Sequence, residues 1–385
     1  MTYQITKLLM ILAGTWQLEL GDVSKTWKII YKIYSFILFI PYHAGPIMFL
    51  LKFYQLLGVD NDKAVECLSM LITVILLVIK MTLCKSKVMT SVLQHSIEKV
   101  DEALKNGDET TKSVYNNYMQ FANRLNILLT LWSFLVGVYL TIAAIIEDVD
   151  YLKTHETTND DMPLQVLFWY PFPYYEHYKI MLAYQSFSVL SSDLYNSYLQ
   201  ALPNTIMTQI TAELKILHHN IKNFTRDDVT GEELSREKAY FKLRGLIVEH
   251  QNTIDQISKL NRALRMNLLI EYAVSSVMLA SILVQIISGK KVIFNCIYFG
   301  ALAFGWFMLS YNANEIQFQS TNLSMALYES NWYKQDKRTN QLVFILLMRT
   351  QKPLYVQIGL FGPMTIDAAI SRFKLAYSYV SVMSP

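Results

Sequence analysis

Charged side chains are scarce in this chain. Asp, Glu, Lys and Arg supply 17% of its 385 residues against 52% apolar, and the mean hydropathy is +0.23, too little charge to coat a soluble protein of this length. Cysteine is scarcer: Cys67, Cys84 and Cys296 form neither a disulfide framework nor a metal-ligand spacing, and read as small buried apolar side chains. His-Glu-x-x-His, Gly-x-Ser-x-Gly and a phosphate-cradling glycine loop are missing, as is any intramembrane carboxylate pair at helical spacing, so no enzyme is expected. His155 and His177, with Asp160 and Asp161 between them, lack regular ligand spacing, and neither a metal nor another cofactor is expected.

What the chain does have is long apolar runs. Stretches of about 20 mostly apolar residues mark membrane-crossing helices. They fall near 29–50, 67–84, 126–146, 178–202, 268–288 and 292–312, with a broken seventh around 341–382. The expected fold class is all-α, a polytopic membrane protein with seven transmembrane helices. The apolar run at 7–13 is too short for a signal peptide and no small-x-small cleavage site follows, so residues 1–28 read as a cytosolic or interfacial lead-in.

Charge placement sets the orientation. Lys85, Lys87, Lys99, Lys105, Lys112 and Arg124 follow the second span, and the loop at 221–265 after the fourth is also basic. The loop at 147–177 is acidic instead, with Glu147, Asp148, Asp150, Glu156, Asp160, Asp161 and Glu176 against Lys153. The positive-inside rule then puts the amino terminus in the cytosol and, after seven crossings, the carboxyl terminus outside. Sequons at Asn223 and Asn322 fall on the cytosolic side, out of reach of glycosylation. The acidic loop has two readings, a concentrator of cations near an extracellular mouth or a solvated outer surface.

Seven helices suggest a G-protein-coupled receptor, but this topology is inverted. The third span ends in no acidic-Arg-aromatic triplet, the seventh lacks Asn-Pro-x-x-Tyr, and 147–177 holds no cysteine. A transporter would carry paired broken helices at matched positions, whereas only the seventh span is interrupted.

The last span is too polar to face lipid. At 100° per residue, Ile366, Ile370, Phe373, Tyr377 and Val380 form an apolar stripe, beside a polar one of Asp367, Ser371, Lys374, Ser378 and Ser381 or Val382. One face would pack and the other would be wet, as in a pore-lining helix; packing of the polar stripe against neighbouring helices is the alternative. A lysine ring would oppose cation flow, so Lys374 snorkels or pairs with Asp367, and the pore face leans toward Ser371, Leu375, Ser378 and Val382. Gly359, Gly362 and Pro363 break the crossing just before this helix, as a hinge or as a fixed kink.

The carboxyl-terminal pattern is specific: Tyr328-Glu329-Ser330-Asn331-Trp332-Tyr333, Arg338, Met348-Arg349-Thr350-Gln351-Lys352-Pro353 and Phe373-Lys374-Leu375-Ala376-Tyr377-Ser378-Tyr379. With Trp169-Tyr170-Pro171-Phe172-Pro173 and Tyr184-Gln185 upstream, it resembles the insect odorant receptors along essentially the whole chain. The resemblance implies a subunit of an odorant-gated, non-selective cation channel, a tetramer shared with a co-receptor in the plasma membrane of a sensory neuron. The co-receptor itself has a much larger loop after the fourth helix, so this chain reads as a tuning subunit. The gustatory-receptor signature Thr-Tyr-Leu-Val-x-Leu-x-Gln-Phe is not evident, which leaves a gustatory-receptor-like channel as the second reading.

By that resemblance, residues 29–312 form a six-helix bundle holding the odorant pocket, 313–352 an intracellular anchor segment and the start of the seventh helix, and 353–385 the pore helix and extracellular end. The aromatic residues Tyr328, Trp332 and Tyr333 would belong to the anchor, while Arg349 and Lys352 would meet lipid phosphate or the cytosolic vestibule. Val382 sits where the family places a hydrophobic gate, which can close by dewetting. The pocket would lie among the outer halves of the second, third, fourth and sixth helices. Those supply Leu71 and Ile72; Trp132, Gly137, Val138, Tyr139 and Thr141; Tyr184, Phe187, Ser188 and Ser191; and Phe294, Tyr298 and Phe299. Aromatic walls with a few hydroxyls, and no cluster of fixed charge, suit a small neutral volatile.

Overall fold

Residues 3–16, 24–154, 165–172, 174–227, 230–289 and 292–383 are described by the computed structural model. Among them run ten α-helices: α1 (Gln4–Leu12), α2 (Lys25–Leu56), α3 (Asn61–Cys84), α4 (Lys87–Asn106), α5 (Glu109–Thr154), α6 (Tyr178–Lys222), α7 (Arg236–Ile287), α8 (Val292–Glu329), α9 (Lys337–Thr350) and α10 (Ile366–Met383). Several starts are set by side chains that accept from orphan amides at the amino end. Asp60 caps α3 through the Lys63 amide, Ser86 caps α4 through Met89, and Asp336 caps α9 through Thr339.

Among the described residues, five helices (α2, α3, α5, α7 and α8) are long and apolar enough to cross a membrane. Their hydropathy marks only part of them. α6, α7 and α8 have 45, 52 and 38 residues, and at 1.5 Å per residue α7 is about 78 Å long, far beyond a hydrocarbon layer of about 30 Å. The stretch at 221–265 that reads as a basic loop is therefore mostly the first half of α7. Glu, Lys and Arg are good helix formers, so they end a hydropathy span without ending the helix. The acidic 147–177 loop likewise begins inside α5; His155, Asp160 and Asp161 lie outside the described residues.

α6 is the axis of the molecule and is absent from the five apolar helices, because its buried middle is half polar. Tyr195, Tyr198, Leu202, Ile206, Ile210 and Leu214 are fully buried, and so, nearly, are Asn204, Thr205, Thr208, Gln209 and Thr211. The threonines bond back to carbonyls one turn earlier, and the remaining polar atoms reach other helices. Thr205 Oγ1 meets Thr6 Oγ1 of α1 at 2.8 Å and accepts from Asn126 Nδ2 of α5 at 2.8 Å. Asn312 Nδ2 of α8 donates to Asn204 Oδ1 at 3.0 Å. Tyr3 donates to Gln209, which donates to Glu213, and Glu213 pairs with Lys99 of α4. Four other helices are thus keyed to one.

At the other end of α6, Gln185 is fully buried. Its amide accepts from the Val166 amide at 3.1 Å and donates to the Val166 carbonyl at 2.9 Å and to Tyr170 Oη at 3.0 Å, which pins residues 165–172 over the bundle. The break before α10 is a built turn. Ile358 donates to the Gly362 carbonyl and Met364 to the Val356 carbonyl, both at 2.8 Å. Gly359 and Gly362 take φ of 51° and 95°, the left-handed region that glycine enters without a steric penalty. Asn261 of α7 holds the turn through Tyr355 and Gln357, and Ser320 of α8 accepts from Leu354.

In the part of α7 outside its apolar stretch, His250 is 2% exposed. Burial and the nearby Arg349 hold its imidazole down at about 4, below the ordinary 6.5. Unfolded chains therefore bind a proton between those values that the folded one does not, so stability is full above pH 6.5 and is lost as pH falls toward 4. In detergent micelles the melting temperature should drop across this interval, and His250→Gln should remove part of the drop. A variant profile parallel to the wild type would contradict the assignment.

Candidate functional site

Between α5, α6 and α8 aromatic rings gather around one carboxylate. Phe294 and Tyr298, four residues apart on one face of α8, stack at 5.7 Å, and Tyr139 of α5 stacks on Phe294 at 5.7 Å. Trp132 of α5 stacks on Phe304 at 5.5 Å and donates its indole N–H to the Ile297 carbonyl at 3.1 Å. This holds the ring against Gly300, where a Cβ would stand 2.7 Å from Trp132 Cζ2. Asp193 of α6 packs against Gly137 of α5 and lies near Tyr298. Its Oδ1 accepts from Ser133 Oγ at 3.4 Å, and its Oδ2 is buried without a hydrogen-bond partner. A Cβ at residue 137 would overlap the carboxylate as it lies, so glycine there gives it this position.

Of the residues anticipated for a pocket, Trp132, Gly137, Tyr139, Phe294 and Tyr298 meet here. Thr141 lies at the margin, bonded to the Gly137 carbonyl and to Gln165 of the pinned segment. The others point elsewhere, for reasons of helical phase. Ser188 and Ser191 lie about 140° and 160° around α6 from Asp193 and face α2, where Tyr42 donates to Ser191 Oγ at 2.8 Å and to the Ser188 carbonyl. Tyr184 lies near Tyr42 and Tyr170, while Phe187, Val138 and Ile72 are exposed. Leu71 packs with Phe49, Cys67 and Phe168 in a separate cluster. Phe299, one step round the helix from Tyr298, faces Phe373 of α10 at 6.4 Å between ring centres. Asp193 and Ser133 were not among the anticipated residues; Asp193 brings one carboxyl group to these walls. A single carboxyl group inside an apolar span was the available signal.

The second constellation is at α10. Its packed stripe is Ala369, Arg372, Phe373 and Ala376, with Arg372 fully buried. Ile370 and Tyr377, expected on the packed face, are exposed. Small alanines let α10 approach α7, and the arginine finds partners: Nε donates to Ser276 Oγ at 3.0 Å and Nη2 to the Glu271 carbonyl at 3.4 Å. The guanidinium lies 4.1 Å over the Trp306 ring and 5.3 Å over Tyr272, an arrangement of desolvated cation and ring worth about 2 kcal/mol. The Glu271 carboxylate pairs with Lys80 of α3. Opposite this anchor Ser371, Lys374, Leu375 and Ser378 are exposed on the single chain. Lys374 makes no ion pair with Asp367 among the described residues, and the Val382 side chain lies outside them.

Fold and site together define an all-helical, polytopic membrane protein with an aromatic cluster inside its bundle. A family model described as 7tm Odorant receptor matches residues 60–377, and the chain belongs to that family. It is 27% identical over 220 residues to Odorant receptor 30a of Drosophila melanogaster, covering 56% of this chain and 55% of that protein. With Odorant receptor 10 of Aedes albopictus it shares 24% over 174 residues, 44% of this chain and 46% of the other; the chain spans about half the length of these relatives. The solved structure of the insect olfactory receptor OR5 from Machilis hrabei in complex with eugenol superposes with a TM-score of 0.79 at 14% identity, covering 98% of this chain and 97% of that one.

Two glycines of α8 test how rigid the cluster is. Gly300→Ala drives a methyl into the held Trp132 ring and should cost about 1–3 kcal/mol. At Gly305 the opposing atom is Gln200 Oε1 at 2.5 Å, the end of a flexible side chain that can swing away. Gly305→Ala should therefore be neutral, or stabilising by up to about 1 kcal/mol through helix propensity. Unfolding midpoints of the two purified variants should separate; equal midpoints would contradict a fixed ring.

Proposed function

We propose that this chain is the odorant-binding subunit of a ligand-gated, non-selective cation channel, assembled with shared co-receptor subunits in the plasma membrane. The observation that carries this reading is the double role of α8. Its Phe294 and Tyr298 line the aromatic cluster, while its Phe299 and Trp306 touch Phe373 and Arg372 of α10. A small volatile held among the rings would act on the helix that seats α10, and would open the channel to the extent that it binds the open arrangement more tightly. Eugenol, the partner of OR5 in its solved complex, belongs in a test panel.

Assembly is supported by surface composition. Beyond the apolar stretches, Tyr328, Tyr333, Phe344, Ile345 and Met348 are each more than half exposed. Such a patch of large apolar groups marks a protein interface. Copies joined there would bring the faces with Ser371, Leu375, Ser378 and Val382 toward a common axis, with the amino terminus cytosolic and the carboxyl terminus extracellular. Monovalent and divalent cations would pass between them.

Co-expression with the co-receptor, recording current against a volatile panel in low and normal sodium, tests the whole reading. Val382→Ala should raise leak or alter ion passage, while Tyr298→Ala should shift the odorant response and leave the pore unchanged. Lower surface expression as the sole effect of both would sink the site assignments. A carboxyl-terminal epitope that antibody reaches only after permeabilisation would sink the orientation.

A further inference from the structure

We infer that Asp193 makes the cluster selective for volatiles that carry a hydrogen-bond donor, an alcohol or an amine, over ethers and hydrocarbons of the same size. The inference rests on the proposed ligand site between α5, α6 and α8. A carboxyl group inside an apolar span is costly. It persists where it is paired or put to use, and Asp193 is poorly paired: Ser133 supplies one long hydrogen bond to Oδ1, and Oδ2 is buried with none. The helix against it has been cut back to glycine at residue 137, which gives the carboxylate its room. Tyr298 and Trp132 close the neighbouring walls through the contacts described above.

An ionised carboxylate only accepts, and a donor that reaches it favours that form. The terminal torsion of aspartate is soft, so a small rotation turns an oxygen toward the ring-lined space while Ser133 still donates to its neighbour. An O–H or N–H entering there finds an acceptor; an ether or alkane leaves the oxygen desolvated and unpaired. A site of that kind rejects an analogue lacking the donor far more strongly than an apolar pocket rejects a change of one methylene. Hydrogen bonds to a charged acceptor imply a preference of about tenfold or more.

The test uses the full chain with its co-receptor and four ligands matched in heavy-atom count: a primary alcohol, a primary amine, a methyl ether and an alkane. Wild type should respond to the alcohol or amine at about tenfold lower concentration than to the ether. D193L should bring the donor ligands within about threefold of the ether, because a leucine offers no acceptor. D193N keeps an acceptor and loses the charge, so it should lower the amine-to-alcohol potency ratio and weaken the alcohol only in part. An unchanged donor preference in D193L, an unchanged ratio in D193N, or no preference in wild type would each overturn the inference. If D193L does not reach the surface, the D193N ratio decides. If no ligand evokes current in wild type, the same ranking is read as thermal stabilisation of the purified chain. Selectivity there without current would sink the channel and leave Asp193 its role; current without selectivity would do the reverse.

Discussion

The buried polar seam of α6 is the constraint from which the rest follows. Lipid chains are as apolar as leucine, so helices in a membrane gain little by hiding apolar side chains from one another; close packing and interhelical hydrogen bonds fix their mutual register. Thr205 with Thr6 and Asn126, and Asn204 with Asn312, fix three helices along the length of α6. Once α5 and α8 are keyed to α6 at that level, Trp132, Ser133, Gly137, Asp193, Phe294 and Tyr298 can only meet one another further along. The aromatic cluster thus depends on the register that this polar seam sets.

α8 turns that geometry toward function. One face of it carries Phe294 and Tyr298, and the rest of its circumference carries Phe299, Trp306 and Asn312. The helix is therefore held by the seam at one level, lined by rings at another, and seated against α10 between them. Arg372 gives α10 a single well-defined seat, since a guanidinium out of water tolerates few positions that satisfy it. The segment before α10 is pinned to α7 and α8 by Asn261 and Ser320, so movement of α10 is most easily imposed through the helices that touch it.

Legibility in the sequence differs from element to element. Apolar runs gave the spans and the helical class, and Gly359, Gly362 and Pro363 located the break in the last crossing. The helices' true ends were not legible, because α7 passes from charged to apolar sequence with no proline and only Gly245 between Arg236 and Ile287, and a lone glycine is tolerated inside a helix. Trp132, Gly137, Tyr139, Phe294 and Tyr298 lie together in the structure. Ser188, Ser191 and Phe299 do not join them, since composition says that a residue is aromatic or hydroxylic but not which neighbour its helical face meets. Ile370 and Tyr377 were placed on the packed face by apolar character, while the structure packs Ala369, Arg372 and Ala376. Small volume and a guanidinium bonded through Nε and Nη2 and stacked on Trp306 outweighed hydropathy there.

By itself the sequence determined what depends on local chemistry. It set the membrane as solvent, the helix as the one element that satisfies every backbone group there, the turn glycines, and a final helix too polar for lipid. Tertiary structure alone decided which polar groups found partners. It paired Arg372 with two rings and a carbonyl, gave Asn126 and Asn312 their hydrogen bonds, and left Asp193 with an oxygen unmatched. Partners of that kind lie as many as 206 residues apart along the chain, and no local pattern specifies a rotation about a helix axis that only packing against the other helices can fix.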